Sequence, residues 1–385
     1  MGILLAVSLC HMLNDIMQSM LSAIYPMLKS DFGLTFGQIG FLTLTFQVTA
    51  SLLQPLIGMY TDRRPLPYSL PVGMGSTLIG LVVLATAHSY PLLVIGAAFI
   101  GIGSAIFHPE SSRVARLASG GRYGMAQSLF QVGGNVGTSI GPLLAAFIVV
   151  PYGQGSVGWF TVAAMAGMII LWRVGGWYAR YQAGAAKRPA SAVTITLPRS
   201  RIMTALVILA LLTFTKNAYM ASISSYYTFY MIEKFDVSVQ MSQILLFAFL
   251  GGAALGTIVG GPIGDRIGAR TVIWFSILGV LPFTLAMPHV GYEATVVLSV
   301  VIGFILSSAF PAIVVFAQEL VPGRVGMIAG IFFGFAFGFG GLAAAALGYF
   351  ADVYGIETVY WACSFLPFLG LLTVFLPRMK ELRGV

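Results

Sequence analysis

The chain has 385 residues, of which 58% are hydrophobic and only 8% charged, and its mean hydropathy is +0.92. Water-soluble domains carry about 25% charged residues, so this composition excludes a soluble globular protein. The two cysteines, Cys10 and Cys363, both fall in apolar runs and imply neither a disulfide framework nor a metal cluster. The net charge of +8 needs no nucleic-acid partner, because its distribution along the chain explains it, as shown below.

Apolar runs recur along the whole chain, and each is long enough to cross a bilayer. We therefore predict an all-α integral membrane protein with twelve transmembrane helices. The first run is not a cleaved signal peptide, because no basic region precedes it and its centre holds His11, Asn14 and Asp15. The predicted spans are 2–28, 36–60, 67–88, 90–114, 124–150, 157–178, 202–231, 240–263, 270–288, 293–318, 325–350 and 356–377.

Polar residues follow one helical face of the first span, which carries His11, Asn14, Asp15, Gln18 and Ser22 at a 3.6-residue period. Such side chains are costly in a membrane unless they face a wet cavity or each other. Similar stripes lie in the second, fifth and seventh spans. They comprise Gln47, Ser51 and Gln54; Gln127, Gln131, Asn135 and Thr138; and Lys216, Tyr219, Tyr227 and Tyr230. The stripes indicate a solute path, although interhelical hydrogen bonding explains any single Gln or Ser equally well.

Asp15 is the leading candidate for proton coupling. A carboxylate in a low-dielectric environment is harder to ionise, which suits a group that takes up and releases a proton. His11 lies one turn away and can share that proton or hold the carboxylate. The alternative is a fixed Asp–Asn–His network that only joins helices.

The end of the second predicted span and the loop after it carry the sequence Gly58-Met-Tyr-Thr-Asp62-Arg63-Arg64. A matching element, Gly261-Pro-Ile-Gly-Asp265-Arg266-Ile-Gly268-Ala-Arg270, lies 203 residues later, and Gly121-Arg122-Tyr-Gly124-Met125 recurs as Gly323-Arg324-Val-Gly326-Met327. Two similar halves in a membrane protein are typical of a transporter. We predict two pseudo-symmetric six-helix bundles, 1–179 and 201–385, joined by a polar linker, 180–200.

The repeated Asp-Arg element is predicted to latch the cytoplasmic side, since Asp and Arg make charge-assisted bonds to neighbouring helix ends. Direct contact with substrate is the alternative. The predicted gate residues are Asp62, Arg63, Asp265, Arg266 and Arg270.

The fourth span holds His108, Glu110, Arg113 and Arg116, with Pro109 expected to break the helix beside them. Glu110 and Arg113 stand three residues apart and can pair. Glu110 is interpreted as a coupling group that alternates between a proton and Arg113. The alternative makes the arginines topology charges at the cytoplasmic mouth and Glu110 a structural partner.

Lys216 lies at the depth of the first span's polar cluster, because Asn217 is 203 residues after Asn14. A cation there is predicted to bind an anionic substrate head or to take part in coupling; a permanent ion pair with Asp15 is the alternative. Neighbouring tyrosines supply hydroxyls and flat walls, unless they only pack helices or belong to the interfacial belt. The predicted substrate-binding residues are Lys216, His108, Gln18, Gln47, Gln131, Asn135, Tyr226, Tyr227 and Tyr230.

The basic residues set the predicted topology. Both termini share one side with most of the charge, and the positive-inside rule makes that side cytoplasmic. Lys29 and Lys234 fall on the opposite side, and Lys216 lies within the membrane. The cytoplasmic set is Arg63, Arg64, Arg113, Arg116, Arg122, Arg173, Arg180, Lys187, Arg188, Arg199, Arg201, Arg266, Arg270, Arg324, Arg378, Lys380 and Arg383.

The repeated Asp-Arg element resembles that of the major facilitator superfamily, and Gly137-Thr-Ser-Ile-Gly141-Pro142 is similar to the signature associated with antiporters. The first copy departs from the pattern at Pro65 and Pro67. A narrower resemblance, to bacterial fosmidomycin-resistance efflux proteins, lies in Ser8–Asp15, Phe107–Arg116 and Ser222–Tyr230. It implies proton-coupled export of an anionic phosphonate drug.

The residue patterns predict a secondary active transporter that works by alternating access, and the resemblance implies that it exchanges protons for a small anionic drug such as fosmidomycin. The alternative is a proton-coupled importer or facilitator of a sugar, organic acid or phosphate compound. No nucleotide-binding loop and no metal or nucleophile cluster is visible in the sequence. We therefore expect that the protein is not an enzyme, and that it binds no metal and no cofactor and uses the proton gradient as its energy source. We expect a monomer in the bacterial inner membrane, with a small anionic amphiphilic substrate, protons and the lipid bilayer as its partners and no nucleic acid.

Overall fold

The computed structural model describes residues 1–34, 36–185 and 197–378, and every regular element in those ranges is helical. Helices are expected because a membrane offers the backbone no water to bond with. Ten helices in the described ranges are long and apolar enough to span a membrane. The fifth and eleventh predicted spans correspond to the helices Tyr123–Leu144 and Val325–Tyr354. The predicted all-α membrane fold is confirmed.

The first half of the chain contributes eight α-helices. They are α1 (Gly2–Ala23), α2 (Tyr25–Asp31), α3 (Phe36–Arg63), α4 (Ser69–Thr86), α5 (Tyr90–Ala118), α6 (Tyr123–Leu144), α7 (Val150–Tyr152) and α8 (Thr161–Ala185). A π-helical segment, Ala145–Val149, and a 3-10 segment, Gln154–Phe160, flank α7.

The second half contributes eight more. They are α9 (Arg199–Phe235), α10 (Val239–Ile267), α11 (Ala269–Ile277), α12 (Leu281–Ala286), α13 (Tyr292–Ser307), α14 (Ala309–Leu320), α15 (Val325–Tyr354) and α16 (Ile356–Cys363). In the second half, three spans predicted as single helices are divided, and each of them contains a proline (Pro282, Pro311 or Pro367), which removes a backbone donor. In the first half, the predicted span 2–28 is likewise divided, between α1 and α2.

The described chain forms two compact units. One contains Met1–Gly121, the chain from Leu129 into the predicted linker, and Gly323–Gly334; the other contains Arg122–Ser128, the chain from the linker to Pro322, and the chain from Phe335 onward. The first turns of α6 therefore cluster with the second unit, and those of α15 with the first. The domain boundaries given above stay a prediction, and residues 186–196 of the linker lie outside the described residues, as do Lys380 and Arg383.

A stripe of glycines packs α6 against α1 in the first unit. Gly133 and Gly137 face the carbonyl oxygens of Ser8 and Met12, and Gly141 faces that of Ile16. A Cβ at any of these positions would overlap the α1 backbone, so only glycine allows this approach. The Gly137–Pro142 element is thus a place of close helix packing, and the helix changes to π geometry just after it.

The expected break at Pro109 is wrong. α5 runs without interruption from Tyr90 to Ala118 with Pro109 inside it. Close contacts with α3 and α4 keep the helix in place despite the missing N–H group. This continuity holds His108, Glu110 and Arg113 on one rigid element.

Candidate functional site: a buried His–Asp–His cluster and two helix caps

A buried cluster joins α1 and α5 in the first unit. His11 Nε2 lies 3.3 Å from Asp15 Oδ2, and His108 Nε2 lies 3.7 Å from Asp15 Oδ1. The two histidine Nε2 atoms are 3.3 Å apart. His11, Asp15 and His108 are 1%, 6% and 0% exposed, so water has little access to them.

Neighbouring groups fix the orientation of this cluster. Asn14 Nδ2, Gln18 Nε2 and Thr138 Oγ1 donate towards the Asp15 carboxylate at 3.1, 3.3 and 3.5 Å. The sequence stripe predicted that Asn14 and Gln18 share a face with Asp15, and the structure brings them together. His108, predicted as a substrate contact from the fourth span, joins the same cluster.

Gly134 on α6 completes the site, and the sequence analysis missed it. A Cβ there would lie 2.5 Å from His11 Nε2 and 2.9 Å from Asp15 Oδ2. The absence of a side chain therefore makes room for the cluster. The Gly133–Gly134 pair within an otherwise polar stripe was the available signal, since adjacent glycines in a membrane helix mark close contacts.

The ligand atoms of His11, Asp15 and His108 all lie within 4.8 Å of one another, so this is the group in the described ranges that could hold a cation. The expectation that the protein needs no metal stays a prediction.

A second buried network lies one to two turns along α5. Arg113 Nη1 donates to Glu110 Oε1 at 2.5 Å, and Arg113 Nη2 donates to Asp62 Oδ1 at 2.5 Å. Thr61 Oγ1 and Ser69 Oγ donate to the two Glu110 oxygens at 2.6 and 3.1 Å. The predicted Glu110–Arg113 pair is present, and it extends to the repeated Asp-Arg element of α3. Thr61 and Ser69 were not predicted, because short hydroxyl side chains carry little sequence signal.

Each aspartate of the repeated element caps a helix. Asp62 accepts the backbone N–H groups of Gly326 and Met327, at the start of α15, at 2.9 and 2.8 Å. Asp265 accepts those of Gly124 and Met125, at the start of α6, at 2.7 and 2.8 Å. The carboxylates meet the partial positive charge of each helix N-terminus, as expected for a structural latch.

The two caps should differ in strength. Asp62→Asn breaks a buried ion pair with Arg113 as well as weakening the cap, and we expect it to cost about 3–5 kcal/mol of unfolding free energy. Asp265→Asn keeps an acceptor at an exposed cap and should cost below about 1 kcal/mol. Unfolding of the two purified variants in detergent, followed by intrinsic fluorescence, measures the difference; equal losses would contradict the assignment.

The basic residues of the repeated element have separate surroundings. Arg63 and Arg266 are exposed at helix ends. Arg270 donates to the carbonyl oxygens of Thr373 and Val374 at 3.3 and 2.9 Å and so holds the 3-10 segment Leu366–Phe375. Their predicted gate role stays a prediction.

Lys216 on α9, in the second unit, is partly buried. Its Nζ lies 3.4 Å from Asn217 Oδ1 and 5.4 Å from the centre of the Phe310 ring. Within the second unit, no described carboxylate lies within ion-pair distance of Lys216. The alternative, an ion pair with Asp15, stays a prediction, because Asp15 belongs to the first unit. The Asn217 Nδ2 group is also without a hydrogen-bond partner in the described part of the chain.

Two of the three predicted substrate tyrosines are packed inside the second unit. Tyr227 donates to Ser299 Oγ at 3.0 Å, and the Tyr230 ring stacks on Tyr360 at 4.1 Å between centroids. Both tyrosines are fully buried, which favours the packing alternative for them. Tyr226 is partly exposed and keeps a position compatible with ligand contact.

Of the amide side chains predicted to bind substrate, one is buried and three are partly exposed. Gln18 is buried beside the His11–Asp15–His108 cluster and accepts a hydrogen bond from Ser104 Oγ at 3.0 Å. Gln47, Gln131 and Asn135 are partly exposed, with Gln131 Nε2 3.4 Å from Asn135 Oδ1. Among the predicted substrate residues of the first unit, these three present polar atoms beyond the buried cluster.

Comparison with known proteins agrees with this architecture. The model of the Major Facilitator Superfamily matches residues 7–229 and 206–384. The fosmidomycin resistance protein of Escherichia coli (strain K12) is 57% identical over 380 residues, covering 99% of this chain and 94% of that protein. The uncharacterized MFS-type transporter YfnC of Bacillus subtilis (strain 168) is 41% identical over 387 residues, covering 99% of this chain and 94% of that protein.

Solved structures agree at the level of the fold. The transporter FucP in its outward conformation has a TM-score of 0.76 at 15% identity, with 98% of this chain and 99% of that one covered. The human organic anion transporter MFSD10 gives 0.75 at 15% identity, with the same coverage. The fold and the sequence matches define a multi-pass membrane transporter. The chain belongs to the Major Facilitator Superfamily.

Proposed function

We propose that this protein is a proton-coupled antiporter that exports a small anionic drug of the phosphonate class, such as fosmidomycin, by alternating access. The observation that carries the proposal is the 57% identity, over almost the whole chain, to a protein named for fosmidomycin resistance. The residues of this chain supply what such a transporter needs, namely a buried proton-binding cluster and a cation for the substrate.

Proton coupling is assigned to Asp15 and His11, with Glu110 and Arg113 as the second stage. Asp15 and His11 are buried together, and Glu110 shares Arg113 with the Asp62 cap of α15. Protonation of Glu110 would end its ion pair with Arg113 and thereby change the network that holds this cap. Coupling requires only that proton and substrate favour different conformational states to different extents.

Substrate binding is assigned to Lys216, with Tyr226, Gln47, Gln131 and Asn135 as further contacts. Lys216 is a cation in an apolar helix that has no carboxylate partner within its own unit among the described residues. An anionic phosphonate would neutralise it. The energetic need of a buried charge for a partner supports this assignment.

Lys216→Gln is expected to raise the half-saturating concentration of fosmidomycin about 10- to 100-fold, because a charged hydrogen bond contributes about 1.5–3 kcal/mol. Lys234→Gln is the matched control on the same helix, since Lys234 already bonds the Tyr230 hydroxyl at 2.9 Å and the Pro288 carbonyl. Fosmidomycin uptake into proteoliposomes at graded concentrations measures both. Equal effects of the two substitutions would remove Lys216 from the substrate site.

The remaining properties belong to the same proposal. The protein acts as a monomer in the bacterial inner membrane with both termini in the cytoplasm. It uses the proton gradient and no cofactor, and it catalyses no chemical reaction. The excess of Lys and Arg on one side of the predicted topology supports the orientation.

The test is fosmidomycin-driven proton movement in proteoliposomes that contain a pH-sensitive dye. Exchange predicts that the lumen becomes more alkaline when fosmidomycin is added outside, because each molecule that enters drives protons out. Acidification of the lumen would support the alternative, proton-coupled import. No pH change with a folded, correctly inserted protein would refute proton-coupled transport of this compound.

A further inference from the structure

We propose that a groove between α3, α4 and α5 binds one anionic phospholipid, with an acyl chain in the groove and the phosphate group at the arginines beside its mouth. Arg63 and Arg64, which follow the repeated aspartate of the first half, hold the phosphate. The proposal concerns lipid binding by the first unit and does not depend on the proposed transport function.

The groove lies within the first unit and has a volume of about 590 Å³. Its walls are almost wholly apolar, and three of the lining side chains, Leu56, Tyr60 and Val72, are more than half exposed. Since α3 and α4 are long and apolar enough to span a membrane, these exposed side chains meet lipid. An acyl chain that enters the groove is held in proportion to the apolar surface it buries.

One wall of the groove is built where the first half of the chain departs from the second. Five residues, 64–68, join α3 to α4, whereas Gly268 alone joins α10 to α11. Pro65 and Pro67 lack backbone donors, which keeps the longer connection out of helical structure. This connection places Leu66 in the groove wall. The departure from the repeated pattern therefore creates an apolar surface in the first half.

Three exposed arginines stand near the mouth of the groove. Arg63 and Arg64 lie at the end of α3, directly before the connection that lines the groove, and Arg180 lies on α8. A Cβ at Gly176 would lie 3.7 Å from Arg180 Nη1 and 4.0 Å from the hydroxyl oxygen of Tyr68, which lines the groove. The positive charge of α8 thus borders the same wall as that of α3.

These three arginines have no acidic partner in the part of the chain that the structure describes. The carboxylates of α3 and α5 at this end of the helices, Asp62 and Glu110, both pair with Arg113. The charge at the mouth is therefore uncompensated and lies beside an apolar groove. A phospholipid with a negative headgroup complements both features, because basic residues at a membrane surface attract anionic lipid.

Aromatic side chains mark the depth of the mouth. The Tyr68 ring packs on Trp172 of α8, with 4.8 Å between the ring centroids, and both side chains are exposed. Tyrosine and tryptophan are enriched where a membrane meets water, because one end of each ring system is polar and the rest apolar. The pair therefore places the mouth of the groove at the level of the lipid headgroups.

The groove also borders the buried ion network. Thr61 and Ser69 line it, and their hydroxyl groups donate to the two oxygens of Glu110 at 2.6 and 3.1 Å. A bound acyl chain would lie against the residues that hold this carboxylate in place. Lipid at this site would thus cover one side of the network from the membrane.

Native mass spectrometry of the purified protein in detergent tests the proposal. Phosphatidylglycerol, which is anionic, and phosphatidylcholine, which has no net charge, are added separately with identical acyl chains. One molecule of phosphatidylglycerol should bind more tightly than phosphatidylcholine. Arg63→Gln and Arg64→Gln should each weaken phosphatidylglycerol binding about fivefold, the contribution of one basic residue near a membrane surface. Arg266→Gln is the matched control, because Arg266 is exposed at the equivalent position 203 residues later and should leave the binding unchanged.

A second variant tests the groove separately from the charge. Val72→Phe adds bulk to an exposed groove wall and leaves the arginines in place, so it should also weaken phosphatidylglycerol binding. Thermal unfolding shows that each variant is folded before its lipid binding is compared with that of the parent.

Equal binding of the two lipids, or an equal loss in Arg63→Gln and Arg266→Gln, would overturn the assignment of the headgroup. Unchanged binding in Val72→Phe would remove the acyl chain from the groove. Displacement of phosphatidylglycerol by inorganic phosphate alone would show a simple anion site and overturn the proposal of a lipid. The experiment contains no fosmidomycin, so its result and the result of the transport test stand separately.

Discussion

Asp15→Asn is expected to reduce fosmidomycin-driven proton movement at least about 100-fold while the protein remains folded. An asparagine has the shape of the aspartate and can still bond with its neighbours, but it cannot balance the charge of a protonated histidine. Loss of one essential proton-transfer group typically costs about 10²–10⁴ in rate. Dye-filled proteoliposomes measure the proton flux, and the exchange of radiolabelled fosmidomycin across the membrane measures substrate movement separately.

Asp31→Asn is the matched control, because Asp31 is exposed at the end of α2 and outside both networks. The control should transport like the parent protein. Unchanged proton flux in Asp15→Asn would remove Asp15 from the coupling path and make Glu110→Gln the decisive variant. Loss of flux in both Asp15→Asn and Asp31→Asn would indicate a general effect of charge and contradict the assignment.

Gly137→Ala is expected to destabilise the first unit by about 1–3 kcal/mol, the cost of overpacking a closely fitted contact. The added methyl group would overlap the carbonyl oxygen of Met12, and the α1 and α6 backbones would have to separate. Thermal unfolding in detergent measures the loss. Since α1 and α6 both contribute to the His11–Asp15–His108 cluster, transport should fall along with stability.

Gly338→Ala on α15 is the control, because a Cβ there meets nothing within 4 Å. Alanine favours a helix over glycine by about 1 kcal/mol, so this variant should be as stable as the parent or slightly more so. An equal loss in both variants would show that the effect belongs to glycine replacement in general. No loss in Gly137→Ala would show that the two helices can separate freely at this point.

The sequence could predict the repeated aspartates but not all of their contacts. The 203-residue repeat places Asp62 and Asp265 at equivalent helix ends. Only the tertiary structure joins Asp62 to Arg113 and Glu110, because those residues come from a different helix. At the positions of Glu110 and Arg113, the second half has Ile313 and Phe316. Among the described residues, the ion network is therefore present at the Asp62 cap and not at the Asp265 cap.

The cluster of His11, Asp15 and His108 could likewise be predicted from the sequence only in part. The spacing of His11, Asn14, Asp15 and Gln18 is a property of one helix, and its 3.6-residue period can be read without a structure. His108 lies 93 residues after Asp15 in the sequence. A contact between residues so far apart in the chain depends on how α1 and α5 pack. The Gly133–Gly134 pair is a signal in the sequence, but only the packing of α6 against α1 places Gly134 beside the His11 ring.

By itself, the sequence determined that this protein is helical, spans a membrane and has two related halves, because hydrophobic length and repeats are local properties that survive any packing. It also determined which polar residues must avoid lipid, since their cost does not depend on the partner. The tertiary structure alone decided which of them meet. In the structure, Tyr227 and Tyr230 are buried between helices. His11 and His108 both contact Asp15. Such choices depend on distances between helices, which a single chain's periodicity does not contain.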